Sequence, residues 1–96
     1  MTDPPYQLFE LPGVAAGFRA AADQARRQGR LPLFVRAARW VMEELARTPG
    51  EFGESREWHE HARIQARCGF ARPLYVEFGV DEANRIVYLR RFVLVR

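Results

Sequence analysis

Residues 74–95 read LYVEFGVDEANRIVYLRRFVLV, and this stretch decides the fold class. Over 74–80, large apolar residues alternate with tyrosine, glutamate or glycine, which is the period of a strand with one buried face. Residues 81–84 have the length of a hairpin loop, and 86–95 are rich in the β-branched and aromatic residues that favour strands. The stretch therefore predicts two antiparallel strands joined by a hairpin.

Residues 58–68 show the same alternation before this hairpin. One side of the pattern is apolar, and the other side is polar and mostly basic. We therefore expect one further strand, with its apolar face toward the core and its basic face toward solvent. The apolar side holds Trp58, Ala62, Ile64, Ala66 and Cys68, and the basic side holds His59, His61, Arg63, Gln65 and Arg67.

The first half of the chain predicts a strand and two helices. Residues 6–11 form a short aromatic segment between prolines, as expected for a first strand. Residues 14–28 carry apolar side chains at helical spacing and precede a glycine, and an apolar stripe over 32–48 ends at Pro49-Gly50. The predicted order is β-α-α-β-β-β. It describes a two-layer α+β fold, in which a helical hairpin covers one face of a largely antiparallel sheet and the other face is open.

Length and composition limit the possible functions. The 96 residues predict a single domain, 1–96, with 48% hydrophobic and 28% charged residues. All 15 basic residues are arginine, so a lysine base is excluded, and the net charge of +3 gives only a mild preference for anionic partners. Cys68 is the only cysteine, so no disulfide forms within one chain. The sequence carries no signal-peptide pattern and no apolar span, so we expect a cytoplasmic protein without a membrane partner.

The open face of the predicted sheet is the first candidate for a functional surface. Arginine forks bind phosphate and aromatic rings stack on bases, so a basic, aromatic face suits RNA or DNA. A solvated face without function, or a docking face for an acidic or amphipathic peptide, would carry the same charges. The sequence leaves these alternatives open. The candidate side chains are His59, His61, Arg63 and Arg67 on one strand and Arg72, Tyr75, Tyr88 and Arg90 on its neighbours. The strand register decides whether the two tyrosines stand on this face or at the edge of the core.

The two histidines suggest two kinds of chemistry. His59 and His61 lie at the spacing of two metal ligands on one strand face, with Glu77 as a third, but no fourth ligand is recognisable. We therefore predict no metal and no cofactor. A histidine has an ordinary pKa of about 6.5, so it suits proton transfer beside an arginine that holds a phosphate. Cys68 is expected to be a small buried residue and not a nucleophile.

Four segments of the chain are similar to a known family. They are PGEFGE (49–54), RIQAR (63–67), ARPLYVEF (71–78) and NRIVYL (84–89). With the predicted element order, these segments resemble the turn after the helical hairpin and the later strands of the RelE/ParE superfamily of bacterial type II toxins. The resemblance extends over most of the chain and implies the same β-α-α-β-β-β fold.

The resemblance implies a toxin that a cognate antitoxin neutralises, acting on ribosome-bound mRNA or on DNA gyrase. RelE-like ribonucleases use arginines and lysines of the sheet, with a tyrosine, histidine or glutamate near the last strand or in the tail. This sequence contains no lysine, and Arg96 directly follows the last predicted strand, so the tail residue has no counterpart. We therefore expect a toxin that acts by binding, as the gyrase inhibitors do.

Two alternatives stay open, so the sequence does not decide whether the protein is an enzyme. In a ribosome-dependent mRNA endoribonuclease of this fold, Arg63, Arg67 and Arg90 would stabilise the transition state. His59 or His61 would be the base. The other alternative is a non-toxic module that binds nucleic acid or protein. For the antitoxin we expect an apolar groove along the two helices or at the sheet edge, with candidate contacts at Phe9, Leu33 and Trp40.

Overall fold

A computed structural model describes residues 3–96, in which two helices cover one face of a five-stranded sheet. The elements are β1 (Gln7–Glu10), α1 (Val14–Arg27), α2 (Leu31–Arg47), β2 (Glu54–His59), β3 (Ile64–Ala71), β4 (Leu74–Asp81) and β5 (Ile86–Leu94). The sheet order is β1-β5-β4-β3-β2, with β1 parallel to β5 and the other pairs antiparallel. This arrangement confirms the predicted α+β class. Within 3–96, neither helix is long and apolar enough to cross a bilayer.

The segment 58–68 belongs to two strands, where the alternation predicted one. β2 ends at His59, a turn follows over 60–63, and β3 begins at Ile64. The turn contains no glycine, proline, asparagine or aspartate, so the usual sequence signals are missing. Arg63 closes it with a φ of 55°, which residues other than glycine adopt uncommonly. The sheet consequently has four strands after the helical hairpin.

The hydrophobic core lies between the helices and the sheet. The apolar stripe predicted for the second helix is confirmed, because its members are all buried against the sheet. Alternate residues of β4 and β5 form the opposite wall, and burial of these side chains supplies the main driving force for folding. The buried residues are Val14, Ala21, Ala25, Phe34, Ala37, Ala38, Val41 and Leu45 of the helices and Leu74, Val76, Phe78, Val80, Val87, Leu89 and Phe92 of the strands.

The turn segment 49–54 joins the helical hairpin to the sheet and packs tightly on β3. Gly53 has a φ of +73°, and a Cβ at this position would lie 2.0 Å from the main-chain oxygen of Cys68. Glycine is therefore required at 53. Phe52 enters the core beside it, where its ring stacks on Phe78 with centroids 5.8 Å apart.

The turn between β4 and β5 holds the start of the chain. The Tyr6 hydroxyl donates a short hydrogen bond to Glu82. Arg85 lies 4.2 Å from the centroid of the Tyr6 ring, and its guanidinium donates to the main-chain oxygen of Pro4. These contacts hold β1 beside β5 at the end of the sheet where the helical hairpin also ends.

Candidate functional site

An irregularity in β5 turns two consecutive arginines to the open face of the sheet, the face that the helices leave uncovered. Leu89 and Phe92 are both buried in the core, although residues three apart on a regular strand point to opposite faces. The ladder between β4 and β5 shifts register here and absorbs one additional residue, as a β-bulge does. Arg90 and Arg91, between the two buried residues, are consequently both exposed on the open face.

A second bulge has the same effect in β2. Ser55 pairs with Arg67 and Glu57 pairs with Ala66, so Arg56 is the additional residue. Arg56 and Glu57 both line a cleft on the open face. Two bulges on separate strands therefore direct arginines to one surface, which is a common use of bulges near functional sites.

The open-face cleft has a volume of about 830 Å³ and a mixed charge. Its lining contains three arginines, two glutamates and one histidine, so it is less uniformly basic than the sequence predicted. The ion pairs within residues 3–96 are Asp23–Arg26 and Glu44–Arg47, so no cleft arginine in this part of the chain is paired with a carboxylate, and Arg56 and Arg90 can donate to an anionic ligand. The lining residues are Leu11, Arg56, Glu57, His59, Ile64, Ala66, Arg67, Glu77, Phe78, Gly79, Tyr88 and Arg90.

A polar cluster adjoins the cleft at the middle of the sheet. The Tyr75 hydroxyl donates to a carboxylate oxygen of Glu77 at 2.9 Å, and Arg56 Nη1 lies 3.8 Å from Cys68 Sγ. Burial, followed by the bond to Glu77, raises the pKa of Tyr75 to about 12. Tyr75 is therefore a hydrogen-bond donor at neutral pH and not a base.

The prediction that Cys68 is buried on the apolar side of its strand is wrong. Cys68 is half-buried and lies on the open face, because it pairs with Glu77. The alternation over 64–68 is real, but its apolar side faces away from the helices. The register between β3 and β4 decides which side of β3 the helices cover. The covered side holds the residues that pair with the buried Val76 and Phe78.

Two pairs of aromatic rings lie on the open face. Phe9 meets Tyr88 edge to face with ring centroids 5.7 Å apart, and Phe70 meets Tyr75 with centroids 4.9 Å apart. Phe9 is 56% exposed and Phe70 is 59% exposed. Both predicted tyrosines therefore lie on the open face, each beside an exposed phenylalanine that offers a stacking surface.

The structure separates the four side chains that the alternation placed together on one strand. His59 lies in β2 and lines the cleft. His61 and Arg63 lie in the turn between β2 and β3, at the end of the sheet. Arg67 borders the cleft, but it pairs with the buried Phe78 and its guanidinium donates to Phe52, Gly53 and Ser55, so the side chain lies on the covered side. The grouping is wrong because the turn over 60–63 interrupts the period of two.

Arg67 fastens the segment 49–54 to the sheet. Its guanidinium donates to the main-chain oxygens of Phe52 at 3.2 Å and Gly53 at 3.1 Å. It also donates to the Ser55 hydroxyl at 2.8 Å. These bonds use most of the five N–H donors of the side chain, so Arg67 has a structural role in the free protein.

The other predicted arginines lie at two different places. Arg90 lines the cleft, whereas Arg72 lies in the turn between β3 and β4 and donates to the main-chain oxygen of Arg96 at 2.9 Å. Arg56 and Arg91 were not predicted from the sequence, because an alternation of two has no place for a bulged residue. The adjacent arginines in an otherwise apolar strand were the available signal for the bulge in β5.

Within residues 3–96, no group of three or more histidine, cysteine, aspartate or glutamate side chains is placed to hold a metal ion. His59 and Glu77 line the same cleft, but His61 lies in the adjoining turn. The pair of histidines therefore does not point together into the cleft as the strand interpretation expected.

The outer surface of α2 carries the second large apolar area. Cavities of about 580 Å³ and 450 Å³ lie along it and share Val35, Arg39 and Glu43. Leu33 is 55% exposed and Trp40 is 47% exposed. Two of the three residues expected to contact an antitoxin therefore lie on α2.

Comparisons with known proteins give a shared fold. No family model and no curated protein matches the chain. Among solved structures, a chain of the "Chromosomal ParDE TA system from P. aeruginosa" superposes on it with a TM-score of 0.61. The alignment covers 95% of this chain and 97% of that one, at 14% sequence identity. The protein is thus similar in fold, over nearly its whole length, to a chain of a toxin–antitoxin system.

Proposed function

We propose that the protein is the toxin of a bacterial toxin–antitoxin system, that it inhibits growth by binding its target, and that a cognate antitoxin neutralises it. The observation that carries this proposal is the fold similarity to a ParDE chain over 95% of the sequence. Fold alone does not determine function. The surfaces of this chain supply the remaining support.

The arrangement of the candidate catalytic residues favours binding over catalysis. A ribonuclease needs a base within hydrogen-bond reach of the attacking hydroxyl and cations at the phosphate. Here His61 and Arg63 lie in a turn, and Arg67 donates to main-chain oxygens. Tyr75, with its pKa of about 12, stays protonated.

The open-face cleft supports a second candidate function, endoribonuclease activity on mRNA. His59, Arg56 and Arg90 line the same cleft as Tyr88. In this alternative His59 is the base, and Arg56 and Arg90 stabilise the charge that develops on the phosphate. Gyrase inhibition would not require any of these side chains as acid or base.

The antitoxin is expected to dock on α2. The exposed Leu33, Val35 and Trp40 supply apolar contact area along the helix. Arg36 and Arg39 border the larger cavity there, so an amphipathic segment with acidic flanks is complementary to this surface. Addition of the genomic neighbour's product should therefore raise the melting temperature of the purified protein.

Controlled expression in a bacterial host tests the proposed function. We expect growth to stop while labelled amino acids are still incorporated during the first minutes. The variants His59→Gln and Arg90→Gln should remain toxic, and Arg47→Gln, an exposed arginine of α2, serves as the charge-matched control. Circular dichroism and melting temperature establish that each variant is folded.

Two outcomes would decide against a binding toxin. Immediate arrest of translation that His59→Gln or Arg90→Gln abolishes would assign the protein to the endoribonucleases. Normal growth despite accumulation of folded protein would remove the toxin function altogether.

A further inference from the structure

One end of the sheet collects arginines from three separate parts of the chain. Arg30, between the helices, donates to the main-chain oxygen of Val95 at 2.5 Å. The Val95 N–H donates to the main-chain oxygen of Pro73 at 2.7 Å, and Arg72 donates to that of Arg96 at 2.9 Å. The turn between the helices, the β3–β4 turn and the end of β5 therefore form one surface.

This surface, which we name the basic end, carries little compensating charge. Arg26 and Arg27 belong to it, because they lie in the last turn of α1, directly before the turn that contains Arg30. Asp23 is the nearby carboxylate of α1, and Arg26 pairs with it at 3.0 Å. A carboxylate at the main chain of the last residue would offset one further charge. The basic end consists of Arg26, Arg27, Arg30, Arg72 and Arg96.

The opposite end of the sheet is acidic. There the Tyr6 N–H donates to the main-chain oxygen of Ala46 at 2.8 Å, and Glu82 approaches Gly50. The start of the chain, the end of α2 and the β4–β5 turn thus meet, and the β2–β3 turn lies at the same end of the antiparallel strands. The charged residues of these segments are Asp3, Glu44, Glu51, Glu60, Asp81 and Glu82, with Arg47, Arg63 and Arg85.

We propose that the basic end is a binding site for the phosphate backbone of a nucleic acid. Guanidinium groups bind phosphate with paired N–H donors, and Arg72 uses one of its five donors within the protein. Arg72 and Arg96 are exposed. Because three chain segments converge, the charges form a continuous surface that adjacent phosphates can occupy together.

An exposed ring beside the arginines favours a nucleic acid over an acidic peptide. Phe70 lies two residues before Arg72 and is 59% exposed. Its ring lies against Tyr75, with centroids 4.9 Å apart. A nucleic acid held by the basic end would meet this pair on the adjoining open face, where a base can stack. The site lies outside the cleft and does not depend on the proposed toxin function.

Fluorescence anisotropy with short labelled oligonucleotides tests the proposal, using single-stranded RNA, single-stranded DNA and duplex DNA over a salt series. Arg72→Gln and Arg96→Gln should each weaken binding roughly five- to tenfold near 0.1 M salt and lower the salt slope by about 1. Within residues 3–96, the Arg96 side chain makes no hydrogen bond, whereas Arg72 donates to the main-chain oxygen of Arg96. An equal loss of affinity in both variants would therefore come from lost phosphate binding and not from the broken Arg72 contact. Arg47→Gln, at the acidic end, removes the same charge and should change affinity by less than about twofold.

Comparison of the three probes shows whether the basic end binds RNA alone, single strands of either kind, or duplex DNA. The proposal is overturned if none of them binds at low salt, or if Arg47→Gln weakens binding as much as the two basic-end variants. It is also overturned if polyglutamate displaces the oligonucleotide at equal charge concentration, because the basic end would then fit an acidic protein. Growth arrest is measured separately, so the toxin proposal and this one fail independently.

Discussion

The covered and open faces of the sheet differ in what determines the position of each side chain. On the covered face of β4, Leu74, Val76 and Phe78 alternate regularly and are at most 2% exposed. A shift by one residue there would expose the whole apolar set, so the register is strongly determined. On the open face, bulges place Arg56 and Arg91 where regular strands would not. Burial thus fixes the core, and local irregularities arrange the candidate site.

The largest difference between the two faces should appear on removing one phenylalanine from each. Phe78→Ala deletes a ring that is 2% exposed, and we expect the free energy of unfolding to fall by about 3 to 5 kcal/mol. Phe70→Ala removes an exposed ring with one aromatic partner and should cost about 1 kcal/mol or less. Denaturant unfolding of both variants measures the difference.

Phe78→Leu keeps the folded state measurable if the alanine variant is largely unfolded. It should destabilise the protein by less than Phe78→Ala and more than Phe70→Ala. Similar losses for Phe70→Ala and Phe78→Ala would show that the open face is covered in solution, contrary to the comparison.

The two faces can also be compared through one arginine from each, Arg67 on the covered side and Arg56 on the open face, with a smaller expected change in unfolding free energy. Arg67→Met keeps the alkyl stem but leaves the main-chain oxygens of Phe52 and Gly53 without their donor. We expect a loss of about 1 to 2 kcal/mol in unfolding free energy. Arg56→Met, on the open face, should change it by less than about 0.5 kcal/mol. Melting curves at two salt concentrations would check that the Arg67 effect is a hydrogen-bond effect and not one of net charge.

The reverse order, with Arg56→Met the more destabilising variant, would contradict the structural role of Arg67. In that case Arg56, on the open face, would be the arginine that stabilises the fold. Arg67 would then be available for binding, as the sequence predicted.

The covered face explains how much of the fold was predictable. The apolar periods over 32–48, 74–80 and 86–95 predicted α2, β4 and β5, because burial requires a regular pattern in the residues themselves. β2 was missed since Glu54–His59 is exposed at every position and therefore carries no apolar period. The end of β2 was also not predicted, because the turn over 60–63 contains neither glycine nor proline.

The candidate site was less predictable for the same physical reason. Tyr75 and Tyr88, which the sequence left between the edge of the core and the open face, lie on the open face because both strand neighbours of each are buried. Arg90 lies there as the alternation expected, next to the buried Leu89. The predicted position of Arg67 on the open face was wrong, because the sequence of a single strand does not show which of its sides the helices cover. Arg56 and Arg91 depend on bulges, which require knowledge of the partner strand.

The smallest expected effect concerns the polar cluster on the open face. The pKa of Tyr75 lies at about 12, above the ordinary value of 10.0, so the folded protein favours the neutral phenol. Its contribution to stability is therefore complete below about pH 10 and is lost as the pH rises toward about 12. Tyr75→Phe should cost about 1 kcal/mol at neutral pH. The difference from wild type should shrink over this alkaline range.

Ultraviolet titration of tyrosinate separates the two largest causes of the raised pKa of Tyr75. Burial acts first and the hydrogen bond to Glu77 second, so Glu77→Gln should lower the midpoint of the Tyr75 step without returning it to 10. Tyr75→Phe should remove one tyrosine from the alkaline part of the titration, where Tyr6 also contributes because its hydrogen bond to Glu82 raises its pKa. If the wild-type titration has no such step near pH 12, the phenol is exposed to water and the bond to Glu77 does not hold in solution. The open face would then lack a fixed polar cluster, and the contrast with the covered face would be larger than the structure indicates.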